Sequence, residues 1–112
     1  MDATLDLRSD LKPVANRDEV LARLRSHEAE FRGLLVTALH LYGSAARDAM
    51  TAESDVDLFI DYDPEGPFSF VELIRGGELA KEILGRDVDY GSREGLRSRL
   101  RKEIESSSIK VF

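Results

Sequence analysis

The segment "SDVDLFIDYD", Ser54 to Asp63, constrains the fold more than any other stretch of the chain. Its apolar and polar residues alternate with a period of two, which predicts a half-buried strand. Val56, Leu58 and Ile60 fall on one face, and Asp55, Asp57, Phe59 and Asp61 on the other. The apolar face needs a core to cover it. The chain has 112 residues, enough for one domain, which buries roughly two thirds of the surface its unfolded form exposes. A single domain over 1–112 is expected, with a loose start over 1–15 where Pro13 forbids a continuous helix.

The neighbouring segments supply the rest of an α/β (α+β) domain, a small mixed β-sheet packed with helices. Asn16, with Glu19 three residues on, imitates a capping box, and Val20, Leu24, His27 and Phe31 recur at helical spacing as far as Gly33. One helix is predicted there. "LLVTALHLY", Leu34 to Tyr42, reads as a buried strand ending at glycine. After the turn "PEGP", a helical stripe runs from Phe68 to Leu84, weakened at Gly76 and Gly77 by about 1 kcal/mol each relative to alanine. "RDVDYGS" predicts a third short strand, and Leu96, Leu100 and Ile104 mark a last helix before "IKVF", a candidate terminal strand.

Composition narrows the chemistry. The chain has no cysteine, so a disulfide scaffold, a thiol nucleophile and a cysteine-based zinc site are excluded. No apolar run approaches a membrane span, and the charged start "MDATLDLRSDLKP" lacks the apolar segment of a signal peptide, so a cytoplasmic location is expected. The net charge of −6 is unevenly spread. Between Arg47 and Arg75 there is no basic residue, whereas "SREGLRSRLRK" carries Arg93, Arg97, Arg99, Arg101 and Lys102. Two solvated faces account for this pattern, as does an acidic block that binds a cation beside a basic block that attracts an anion.

The candidate site lies where the first two strands meet. Asp55 and Asp57, two apart on a strand, would point the same way about 7 Å apart. Such a pair repels unless a cation sits between, and hard, oxygen-seeking Mg²⁺ is the natural occupant. Just upstream, "YGSAAR" places Gly43 and Ser44 at a strand-to-helix junction, where backbone N–H groups form an anion site. Arg47 follows one helical turn beyond Ser44.

The run "GSAARDAMTAESDVDL" resembles the G-S-x-A-R-G-x5-S-D-x-D-L signature of the nucleotidyltransferase superfamily that includes DNA polymerase beta. More narrowly, the chain from Leu34 to Phe112 resembles the minimal nucleotidyltransferases, the antitoxin halves of HEPN/MNT toxin–antitoxin pairs. By that resemblance Gly43 and Ser44 match the phosphate turn, and Asp55 and Asp57 match the paired metal ligands. Asp89 matches the third carboxylate from a neighbouring strand; Asp87 shares its face, but the family pattern selects Asp89. Two departures stand out: Asp48 replaces the family's usual glycine and adds negative charge near the turn, and Tyr90 replaces a usual leucine.

The resemblance implies two Mg²⁺ ions held by Asp55, Asp57 and Asp89, with ATP as substrate. AMP would pass to a hydroxyl, a tyrosine in that family, of a partner HEPN ribonuclease toxin within a hetero-oligomer. A chain of this length is expected to lack an acceptor-holding domain of its own, which also points to a partner. Two alternatives differ in class: an antitoxin that masks its partner by contact alone, for which Asp48 is the ground, and a transferase acting on a small molecule or RNA end. The negative net charge argues against nucleic acid as the main partner. There is no P-loop and no G-x-S-x-G elbow. His27 and His40, the only histidines, read as packing or surface residues.

Overall fold

A computed structural model of the chain describes residues 12–112. Five α-helices and four strands follow one another as α1 (Arg17–Ser26), α2 (Glu28–Gly33), β1 (Ala38–Tyr42), α3 (Gly43–Ala46), β2 (Val56–Asp61), α4 (Phe70–Leu84), β3 (Val88–Ser92), α5 (Ser98–Ser107) and β4 (Ile109–Lys110). The strands form one mixed sheet in the order β3-β2-β1-β4. β1 runs antiparallel to both β2 and β4, while β2 and β3 are parallel. Parallel neighbours need a long crossover. α4 supplies it.

The alternation of β2 sorts the sheet into two faces. Leu39 and Leu41 of β1 with Val56, Leu58 and Ile60 of β2 are fully buried, together with Val20 and Leu24 of α1 and Ala80, Ile83 and Leu84 of α4. Each of the valine, leucine and isoleucine side chains stabilises the fold by about 1.5–3 kcal/mol relative to exposure. Phe59 is also fully buried but lies on the acidic face. The His40 ring stacks on it with centroids 4.5 Å apart, and the Arg93 guanidinium lies 4.9 Å from its centre.

Several elements differ from the sequence reading. The expected first helix breaks at His27, whose N–H closes onto Leu24 O in a tight turn before α2 begins. Gly33 ends α2 without taking a left-handed conformation; Leu35 does so instead, at φ 68°. The first strand therefore starts at Ala38, four residues later than expected. Of the start expected to be loose, residues 1–11 lie outside the described residues. Val14, however, is fully buried, and its N–H donates to Leu84 O at 3.0 Å. The fourth helix gains a signal that the sequence reading missed: Ser69 and Glu72 form a complete capping box at its start.

Gly76 and Gly77 have a packing purpose. A Cβ at Gly76 would overlap the Tyr90 ring and hydroxyl, and one at Gly77 would touch Tyr90 Cβ at 3.4 Å. The two glycines make room for the tyrosine that replaces leucine. Alone, Gly76→Ala is expected to lower stability by about 1–2 kcal/mol, since overpacking exceeds the helix propensity gained. In a Tyr90→Leu background the same change should raise stability by about 1 kcal/mol, because only the propensity gain remains. Urea unfolding of the four chains checks the reversal of sign.

Candidate active site

The register of the sheet assembles the site. Tyr42 of β1 lies opposite Asp57 of β2, and Asp57 lies opposite Asp89 of β3. Three residues far apart in sequence thus form one row across three strands, on the face away from the main core. Burial is the main influence raising the Asp57 carboxyl above its usual range, and the negative charges of Asp89 and Asp55 raise it further, against the opposing pull of Arg47. The Tyr42 phenol is pushed up to about 12 by burial and then by Asp89 and Asp57. Asp57 and Asp89 also line one cleft of about 380 Å³, shared with Tyr42, Arg97 and the apolar side chains Leu96, Leu100 and Ile104.

Gly43 presses against this row. Its φ is 73°, and an added Cβ would overlap Asp57 Oδ2, so only glycine brings the turn this close to the carboxylate. Ser44 follows as the second residue of α3, a single helical turn. Tyr42, in the capping position, makes no side-chain bond to that turn, so its first N–H groups are not taken by a side-chain cap. Arg47 ends the turn and is exposed, with its charge acting on Asp57.

Asp55 is placed differently. It precedes β2 by one residue, is exposed, and borders a separate groove of about 500 Å³ with Glu53, Arg86 and Asp87. The regular strand begins at Val56, but the in-and-out burial continues through Asp55, whose charge acts on Asp57. The side chains present suit a hard cation, since all three are carboxylates and Asp57 carries the repulsion of both others. Among the described residues, no three histidine, aspartate or glutamate side chains are already gathered into a set that could hold an ion. Mutual repulsion opposes closure of such a set until a cation neutralises it.

Asp48 stands just past the turn and is exposed. Its backbone is left-handed, at φ 57°, which explains a glycine preference there and which aspartate tolerates. Its Oδ1 accepts the Arg17 N–H at 3.1 Å, so the carboxylate serves the first turn of α1.

The basic segment is also divided. Arg93 stands in a 3-10 turn, Arg93–Gly95, ahead of α5. Its Nε and Nη2 donate to Asp61 Oδ1 and Oδ2 at 2.7 and 2.8 Å, and its Nη1 donates to Glu105 Oε2 at 2.7 Å. His40 Nε2 lies 2.9 Å from Asp61 Oδ2. This network, which sequence reasoning missed, fastens α5 over the acidic face. Among the segment's arginines it leaves Arg97 at the cleft. The hydrogen bond from Arg93 is the main influence holding the Asp61 carboxyl down to about 2. Because the folded value is lowered, the stability this carboxylate adds is fully present above the unfolded value of about 3.9. It is lost as pH falls towards 2. Asp61→Asn should cost about 1–3 kcal/mol at pH 7, and unfolding curves of the two chains should converge as pH drops through that window.

Among the described residues, no helix is long and apolar enough to cross a membrane. The family model for the nucleotidyltransferase domain matches residues 21–111. A protein of Methanocaldococcus jannaschii, named as an inferred protein adenylyltransferase, is 32% identical over 95 residues, covering 83% of this chain and 95% of that protein. The fold is also that of a solved structure described as an inferred minimal nucleotidyltransferase, with a TM-score of 0.73 at 23% identity over 84% of this chain and 94% of the other. A toxin–antitoxin crystal structure with AMP-PNP matches with a TM-score of 0.60 at 14% identity, over 87% of this chain and 73% of that one. With the family model spanning most of its length, the chain belongs to the nucleotidyltransferase domain family and is a nucleotidyltransferase.

Proposed function

We propose that this chain transfers AMP from ATP to a hydroxyl of a partner protein, a tyrosine of a HEPN-type ribonuclease toxin, and so acts as its antitoxin in the cytoplasm. The observation that carries the reading is the contact between the Gly43 turn and Asp57, with Asp89 in register beside it. Phosphate and carboxylates must meet closely for this chemistry. The naming of the archaeal relative as a protein adenylyltransferase and the toxin–antitoxin fold match support the substrate and the partner.

In this reading the Gly43 and Ser44 N–H groups receive the phosphates of ATP, helped by the Ser44 hydroxyl, with Arg47 at the end of the turn. Two Mg²⁺ ions, held by Asp55 and Asp57 with Asp89 completing the set, would neutralise charge on the attacking and leaving oxygens. Asp89 accepts the proton of the acceptor hydroxyl. The hydroxyl oxygen bonds to the α-phosphorus, the bond to the bridging oxygen breaks, and pyrophosphate leaves. The chain contributes positioning and charge compensation rather than covalent chemistry.

The test incubates the chain with α-labelled ATP, Mg²⁺ and the protein encoded beside it. Label should pass to that protein and disappear with Asp55→Asn. Neutralisation of the partner that needs neither label nor Asp55 would overturn the reading, as would label on an RNA end or small molecule with the protein partner absent.

A further inference from the structure

Asp55 lies outside the sheet, and a ligand on a loop needs something else to fix it. Both of its peptide neighbours are bonded to the link between α4 and β3. On one side, Ser54 O accepts from Arg86 Nη1 at 2.9 Å. On the other, Val56 N–H donates to Asp87 O at 3.0 Å. Arg86 reaches further: Nη1 also donates to Thr51 O at 2.7 Å, and Nε donates to Val14 O at 2.7 Å. One guanidinium therefore joins three carbonyls, two of them in the loop that delivers Asp55.

The loop is itself a tight turn. Ser54 N–H donates to Thr51 O at 3.1 Å, and Thr51 N–H donates to Ser54 Oγ at 2.8 Å. Arg86 closes this turn from outside by sharing Thr51 O. Its own place is set by Gly85, which ends α4 at φ 65° and lies so close to the backbone that an added Cβ would stand 3.0 Å from Pro13 Cα. A planar fork with several fixed donors can hold three carbonyls at once, whereas a lysine ammonium on a flexible stem lacks that geometry.

We propose that Arg86 is the positioning residue for Asp55, setting the carboxylate where it joins Asp57 around the cation. The inference rests on the transferase reading, because it gives Asp55 a ligand to hold. Partners that orient a metal ligand are worth about 10- to 100-fold in metal affinity. The loss expected from disordering this turn is of that size.

The test measures Mn²⁺ uptake by electron paramagnetic resonance, with ATP present, in the full wild-type chain, Arg86→Lys, Ser54→Ala and Asp55→Asn. Amide hydrogen exchange over residues 51–55 is read in the metal-free chains. Arg86→Lys should weaken Mn²⁺ about 10-fold or more and speed exchange in that turn, while the exchange of β1 and β2 stays at the wild-type rate. Ser54→Ala loosens the same turn without touching the core, so it should weaken Mn²⁺ in the same direction even if Arg86→Lys folds poorly. If Asp55→Asn abolishes uptake while Arg86→Lys and Ser54→Ala bind like wild type, the positioning role is overturned and the transferase reading stands. A wild-type chain that takes up no Mn²⁺ with ATP overturns both.

Discussion

Asp57→Asn should slow AMP transfer about 10³-fold and yet yield a metal-free protein that melts no lower than wild type. The two halves of this result have one cause. Asp57 is half-buried in the middle of the row, and it faces negative charge from Asp89 and Asp55. Among the described residues, no donor gives its carboxylate a hydrogen bond that asparagine would forfeit. In the metal-free fold its charge is therefore a liability, and removing it relieves repulsion at nearly constant volume. With nucleotide and Mg²⁺ bound, the same charge becomes the central ligand. Its loss should then lower the transfer rate about 10³-fold, roughly 4 kcal/mol of charge stabilisation. Thermal melts with and without ATP and Mg²⁺ separate the states: ligand should raise the wild-type melting temperature and leave Asp57→Asn unmoved. A metal-free variant that melts well below wild type would mean that the carboxylate holds the fold together and that its charge was not kept for a ligand.

How much of this was written in the sequence depends on how far apart the interacting residues lie. The period-two run of β2 sets its faces by itself, and Val56, Leu58 and Ile60 are buried as that period requires. Gly43 announced its turn, because a strand ending in Gly-Ser before a helical segment is a local pattern. The pairing of Asp57 with Asp89 came through family resemblance, since parallel register depends on how α4 crosses the sheet. The contact of Asp48 was hidden for the same reason. Its partner is the Arg17 N–H, 31 residues upstream, and nothing local says which way its carboxylate turns. Arg86 left no local trace at all, with carbonyl partners 32, 35 and 72 residues away. The helix read through His27 failed on geometry that periodicity does not carry. A stripe of apolar residues at helical spacing survives a tight turn, so the break between α1 and α2 was invisible.

Gly43→Ala should be the most damaging single methyl group that can be added to this protein. Two penalties act together. Alanine at φ 73° is strained by about 1–2 kcal/mol, and its Cβ overlaps Asp57 Oδ2, adding overpacking of about 1–3 kcal/mol. A combined loss of about 2–5 kcal/mol is a large part of the stability a domain of this size possesses. Relief is available only by swinging the Asp57 carboxylate aside or backing the turn away from β2, and either movement separates phosphate site from metal ligand. Activity should therefore vanish even where the fold survives. A double-mutant cycle isolates the contact. In an Asp57→Ala background the carboxylate is gone, so Gly43→Ala should cost only the backbone strain of about 1–2 kcal/mol. Strictly additive losses in urea unfolding would show that the glycine is required by its backbone alone and that its closeness to Asp57 is incidental.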